Sequence, residues 1–289
     1  AAQLEGPLLI PSFAVERTQE LLADFALLME RGDIPSIPIH IDSPLAEKAT
    51  QVFRRHARDL EEGGRLTRAL ERRDIRFTET VEQSMALDRV HGFHVVIAAS
   101  GMCEAGRIRH RLKNWLWREE ATVLMVGYQA AGTLGRILLD GASEVRIQGD
   151  PIRVRARIRM LDLYSGHADG PELAEWIRHR RPIEGAVFLV HGEEPAIAGL
   201  TERLDGIVDR GRVIAPELDQ TYVLEGARAV PLGTPPRPPR IDRARPGRPD
   251  WHNDWQELLL DVEHRLGKAA DDRARAVVMR RIRKALEEA

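Results

Sequence analysis

The chain of 289 residues contains a single cysteine, Cys103. No disulfide can form within it, and no cysteine-rich zinc site can be built. Lysine is nearly missing as well, occurring only at positions 48, 113, 268 and 284. Almost all positive charge is therefore arginine, whose planar guanidinium suits bidentate phosphate contacts; a bias in genomic base composition is the blander source of the enrichment as a whole. The formal net charge is only −2, so no global field draws the chain to nucleic acid or to a membrane surface. Any such contact must come from a local patch. No apolar run approaches the roughly 18 residues of a membrane-spanning helix. The N-terminus, Ala1-Ala2-Gln3-Leu4-Glu5-Gly6, has no basic-then-apolar signal character, and a reducing cytoplasm is the expected compartment. The chain begins without Met, close to its first strand, which leads us to expect sequence upstream.

A 43% hydrophobic content supports a real core, in one large or two ordinary domains. Short apolar runs alternate with amphipathic stretches through the first two thirds. Strands are expected at Pro7–Pro11, Ile37–Ile41, Val95–Ala99 and Val123–Val126. Between the first two, Ala14, Thr18, Leu21, Leu22, Phe25 and Leu28 recur at helical spacing. Ser43 followed by Pro44 is a cap and first position for a helix, and a charged helical region runs from about Ala46 to Arg73. This alternation implies a mostly parallel sheet with helices on both faces. From Glu144 the period changes to two, and Ile152–Met160 reads as one half-exposed strand. Asp169 with Glu172 forms a capping-box pattern, so Asp169 reads as a cap rather than a ligand. Ala186–Val190 is the strand that delivers His191. Seven prolines and five arginines over residues 231–250 mark an exposed linker. A helical hairpin follows, with one stripe through Trp251 and Trp255 and another through Val277, Val278 and Ile282.

Two loops have the composition of anion sites. Ser100-Gly101-Met102-Cys103-Glu104-Ala105-Gly106-Arg107 follows one apolar strand and opens a helix; Gly127 to Arg136, with Gly132 and Thr133 inside it, follows another. Glycines allow close backbone approach, helix starts offer free N–H groups, and each loop ends in an arginine. Ordinary turn chemistry is the competing reading, and neither loop matches a Walker pattern. Cys103 reads as a small filler at a helix start. His91 and His94 would straddle a loop–strand junction, so their rings are not expected to converge on a metal. His167 and His191 each sit just past a strand-like run, where a side chain can face a cleft.

Taken together these segments resemble one family. Ile10-Pro11-Ser12-Phe13-Ala14, Arg17-Thr18-Gln19-Glu20, Asp42-Ser43-Pro44-Leu45-Ala46, Ser100-Gly101-Met102, Gly106-Arg107, Gly127-Tyr128-Gln129, Gly132-Thr133-Leu134-Gly135-Arg136, Ser165-Gly166-His167-Ala168-Asp169 and Val190-His191-Gly192-Glu193 occur in the order of the β-CASP branch of the metallo-β-lactamase fold. That branch contains RNA-processing zinc ribonucleases, including relatives of the cleavage and polyadenylation endonuclease. The resemblance covers about residues 6–225. It implies an α/β fold: a β-CASP cap domain over 1–150, the C-terminal part of a metallo-β-lactamase αββα sandwich with its RNA-metabolising segment over 151–228, a Pro/Arg-rich linker over 229–250 and a helical tail over 251–289.

The resemblance implies roles too. His167 corresponds to the histidine that protonates the departing oxygen of a phosphodiester, and His191 to a zinc ligand. Ser100, Gly101, Arg107, Gly132, Thr133 and Arg136 fall on loops that line a narrow channel for single-stranded RNA. Two zinc ions are implied for the intact site, whose His-x-His-x-Asp-His signature has no match in this chain. The expected function is thus a portion of a zinc-dependent ribonuclease, a hydrolase of RNA phosphodiester bonds, inactive as this chain alone. A non-catalytic RNA-binding or scaffold member is the alternative, and a small-molecule hydrolase a third reading. RNA is the expected partner, with no membrane contact. The 251–289 tail is the expected route to a homo-oligomer or other partner. Strands at 152–160 and 186–190 are expected to leave an apolar face exposed.

Overall fold

A computed structural model describes residues 5–60, 63–164, 166–217 and 220–232, and 258, 262 and 265–287 of the C-terminal stretch. These fall into two compact units. One runs to Tyr164 and includes the described part of the C-terminal stretch; the other runs from Gly166 to Leu232. The expected linker beyond 232 and the Trp251 and Trp255 stripe lie outside the described residues.

In the first unit the elements are β1 (Leu8–Pro11), α1 (Arg17–Arg31), β2 (Ile39–Ile41), α2 (Pro44–Arg55), α3 (Gly63–Glu71), β3 (Ile75–Phe77), α4 (Val81–Ala86), β4 (Val95–Ala98), α5 (Arg107–Trp115), β5 (Thr122–Met125), α6 (Leu134–Leu139), β6 (Glu144–Ile147), β7 (Asp150–Arg153) and β8 (Arg157–Met160). Six strands form a sheet in the order β3-β2-β4-β1-β5-β8, and each pairing within it is parallel. Successive side chains of a strand point to opposite faces, so both faces must be covered if the strand is apolar throughout. Val96, Ala98 and Leu9 pack with α5 and α6 through Ile108, Leu112 and Leu138. Their neighbours Val95, Ile97 and Ile10 pack on the opposite face with α1 and α3 through Leu22, Ala26 and Leu66. The expected parallel sheet with helices on both faces is what the chain forms.

The helix starts follow their sequence cues. Ser43 Oγ accepts the amide of Ala46 at 3.2 Å, and Pro44 opens α2. Thr80 and Gln83 make a capping box at α4. The strand expected over Ile152–Met160 is instead two strands on different sheets. β7 pairs antiparallel with β6 as a hairpin, and β8 adds to the parallel sheet beside β5. Between them the amides of Arg155 and Ala156 both donate to Leu116 O, at 2.7 and 2.9 Å, which breaks the extended run. β8 therefore belongs to the first unit, and no strand over 152–160 stands without a sheet.

The second unit contains α7 (Gly170–Arg178), β9 (Val187–Phe188), α8 (Glu194–Arg203), β10 (Val213–Ile214), β11 (Thr221–Glu225) and β12 (Arg228–Leu232). β9 and β10 pair in parallel, and β11 and β12 form a hairpin turned at Gly226, whose φ of 59° is the left-handed backbone glycine tolerates. The start of the expected linker, residues 229–232, is part of that hairpin. The core of this unit is small: Ala174, Ile177, Leu189, Leu204 and Val208. In the C-terminal stretch, α9 (Asp272–Glu287) carries no buried residue among those described.

Candidate functional site

Parallel sheets bind ligands outside the carboxyl ends of their strands, and here those ends carry the sequence motifs. After β2, the Asp42 carboxylate is 0% exposed. It accepts hydrogen bonds from Thr78 Oγ1 at 2.7 Å, Ser84 Oγ at 3.0 Å and Arg107 Nη1 at 3.2 Å, and Arg111 Nε lies 3.2 Å away. Arg111 also pairs with Asp88, which accepts from Asn114 Nδ2 as well. Arg107, expected at a phosphate, bonds this carboxylate through Nη1. Its side chain is 8% exposed and its charge answers a buried carboxylate, so it pins α5 to β2 instead of facing solvent. A desolvated Asp at 0% exposure requires such a partner.

The two glycine loops are tied to each other. Gln129 Nε2 donates to Gly101 O at 2.9 Å and Gly127 O at 3.0 Å, and Gly135 N donates to Met102 O at 3.1 Å. A Cβ at Gly135 would lie 1.7 Å from Gln129 Oε1, so any larger residue there would displace the Gln129 amide. Ser100 Oγ accepts the amides of Glu104 and Ala105 at 3.2 and 3.3 Å. Thr133 caps α6 by accepting Arg136 N at 3.3 Å, and donates to Ala130 O at 2.7 Å. Gly132 holds a φ of 85° in the turn before it. The Glu104 carboxylate accepts the amide of Leu134 at the α6 start. At the α6 start the amide of Leu134 is thus taken by the protein's own carboxylate. Arg136 is the more exposed of the two loop arginines and bonds Asp140 at 2.9 Å. Cys103 is fully buried, and burial pushes its thiol well above the usual range, so it fills space.

Sequence reasoning did not find two features of this unit. His94 is buried, its Nδ1 2.9 Å from Gly92 O, and its ring meets His40 edge-on with centroids 6.1 Å apart. Burial first, then His94 and Arg76, hold His40 down to about 4, and burial lowers His94 too. Phe13 and Tyr128, exposed at the ends of β1 and β5, also went unnoticed. A search for large side chains immediately after strands would have found the second feature.

In the second unit, Asp169 and Glu172 complete the expected capping box, each accepting the other's amide at 2.9 Å. Asp169 is therefore a cap. The exposed loop carrying His167 leads into it. His191 follows β9 with a φ of 61°, a strained conformation for a residue with a side chain. A cleft of about 760 Å³ opens between α7, α8 and β9. Leu173, Trp176 and Val190 line it, and Ala168 and His191 stand on its wall; His167 is the residue before Ala168. This is the expected apolar face around 186–190. Among the described residues no group of three or more His, Cys, Asp or Glu could hold a metal ion. No helix among them is long and apolar enough to cross a membrane.

Comparison with known proteins divides the chain near residue 150, ahead of the boundary between the two compact units. Residues 18–138 match the Beta-Casp domain, and residues 151–216 match the Zn-dependent metallo-hydrolase RNA specificity domain. The chain is 37% identical over 204 residues to a ribonuclease of Thermus thermophilus, a match covering 69% of this chain and 46% of that protein. It is 28% identical to the transcription termination factor FttA of Methanosarcina mazei, over 68% of this chain and 32% of that one. It is 29% identical to Integrator complex subunit 11 of Gallus gallus, over 69% and 33%. The chain thus spans about a third to a half of the length of these relatives. With a Beta-Casp match followed by an RNA specificity match, and a ribonuclease among its relatives, the chain belongs to the β-CASP branch of the metallo-β-lactamase family.

Proposed function

We propose that this chain is the RNA-holding and C-terminal part of a zinc-dependent ribonuclease, acting on single-stranded RNA. The observation that carries this reading is the pairing of a β-CASP region with an RNA specificity region, in which His191 lies on the wall of a cleft that Ala168, next to His167, also lines. The strained φ of 61° at His191 supports a functional role, since such strain persists where surrounding structure imposes it. In this reading His167 gives a proton to the departing oxygen of the phosphodiester, work for which imidazole is the usual side chain. His191 offers one imidazole nitrogen to a metal. Arg136, with Gly132 and Thr133 before it, and the Ser100-Gly101 turn flank the RNA phosphates. Arg107 acts indirectly, by fixing the start of α5.

Zinc is implied by the family, and the residues present do not fit it by themselves. Two histidines on exposed loops are too few for a closed or a catalytic zinc site, and the described residues include no larger donor group. The chemistry that these residues supply is the proton and the grip on phosphate.

Fluorescence anisotropy of the full chain with a labelled single-stranded oligoribonucleotide, and with its duplex, tests the reading. The single strand should bind more tightly, with affinity falling roughly tenfold or more between about 50 and 200 mM salt as counterions are released. Added zinc should produce no cleavage. Absence of binding, or preference for duplex, contradicts the RNA role; chelator-sensitive cleavage contradicts the incomplete site.

A further inference from the structure

Four aromatic side chains are exposed among the described residues: Phe13, Trp117, Tyr128 and Trp176. Two of these, Phe13 and Tyr128, stand on neighbouring strand ends. Phe13 is two residues past β1, and Tyr128 three residues past β5, and β1 and β5 are paired in parallel. Their exposures are 48% and 55%.

The loops beneath them are built around these positions. A Cβ at Gly101 would lie 3.1 Å from the Phe13 ring, so the glycine leaves room for the ring to lie over backbone. The hydroxyl of Thr18 donates to Phe13 O at 2.7 Å, which fixes the main chain that carries the ring. On the other side, Gln129 ties Gly101 O to Gly127 O, so the residue between Gly127 and Gln129 is held against the same loop. The Tyr128 segment is thus tied to Gly101 through Gln129, and the Phe13 ring lies beside the same glycine. Arg136, in the loop-and-helix segment that Tyr128 opens, adds a cation near the same rim.

We propose that Phe13 and Tyr128 form a base-stacking pair, which takes unpaired nucleobases of single-stranded RNA at the carboxyl rim of the sheet. Every nucleobase has a π-face, so stacking on exposed aromatics gives sequence-tolerant binding, with phosphates left to arginine. This rests on the RNA reading above and adds to it the residues that hold bases. It also gives Gly101 a role: it makes room for an aromatic ring and does not itself contact phosphate.

The test uses the full chain and two ligands, an eight-nucleotide oligouridylate and the same backbone with abasic sites. Wild-type protein should bind oligouridylate roughly tenfold more tightly than the abasic strand, in line with the stacking of one or two bases. Phe13→Leu and Tyr128→Leu should each remove most of that difference while leaving abasic binding unchanged. Phe13→Tyr and Tyr128→Phe, which keep a ring, should preserve it, and they cover the case in which a leucine variant fails to fold. If both ligands bind equally to wild type, and the variants match it, the stacking pair is refuted while the RNA reading stands; the rim would then suit an apolar protein partner. If neither ligand binds, both inferences fall.

Discussion

The two units bury their apolar residues very differently. In the first, both faces of a parallel sheet are closed by helices, and Leu9, Ile10, Ile39, Ile41, Ile108 and Leu112 are fully inaccessible. Even its charged interior is paired, with Asp42 between Arg107 and Arg111. In the second, five buried residues form the core, while Trp176 and Val190 remain 55% and 67% exposed on an open cleft. The first unit is therefore expected to be stable through its own packing. The second carries the two histidines assigned to chemistry on a scaffold with little packing to spare. Rigidity and candidate reactivity are divided between different stretches of chain.

Several substitutions and conditions would sharpen or break that contrast. The largest effect is expected from Asp42→Asn, which leaves two buried guanidinium groups without their shared carboxylate. A loss of about 3 kcal/mol or more is expected in the urea unfolding of the first unit. A loss under about 1 kcal/mol would show that the buried pair is not what holds β2 to α5.

Acid should act on the same unit. His40 has a folded-state value of about 4, well below its ordinary 6.5, so the native state favours the neutral ring. The unfolded chain takes up the proton first as pH falls. The stability contribution is complete above about 6.5 and is lost as pH falls toward 4. Allowing for the partial exposure of the ring, a decline on the order of 2 kcal/mol is expected across this window. His40→Asn should flatten it. An unchanged slope in that variant would assign the acid sensitivity elsewhere.

The smallest effect has the opposite sign. His191→Gly removes a left-handed backbone penalty, so the second unit should gain up to about 1 kcal/mol in thermal unfolding. The same change removes the proposed metal-binding imidazole, the usual exchange of stability against function. A destabilised His191→Gly would mean that packing of the ring, and not function, accounts for the strain.

Much of this arrangement was legible in the residues. The Val95–Ala98 and Thr122–Met125 strands, the Ser43-Pro44 helix start and the Asp169–Glu172 box are local features, decided by neighbours in sequence. What escaped depended on distant partners. Arg107 and Arg136 follow their glycine loops at similar offsets, yet only Arg107 meets a buried carboxylate 65 positions away. Alternation of period two identifies a strand but not its sheet, so the pattern runs on through β7 and β8 although the Leu116 carbonyl separates them. The 221–232 hairpin was hidden for a similar reason: its strands are mostly exposed and lack a strong apolar pattern.

The central claim is that RNA is held by the loops at the carboxyl rim of the first unit. Hydrogen exchange of the full chain with and without a single-stranded oligouridylate tests this most directly. The account predicts slowed exchange in the segments spanning Ser12–Ala14, Gly101–Arg107 and Gly127–Arg136, with α3 and β6–β7 unchanged. Protection confined to those distant elements, or bound RNA with no change in the three rim segments, would contradict it.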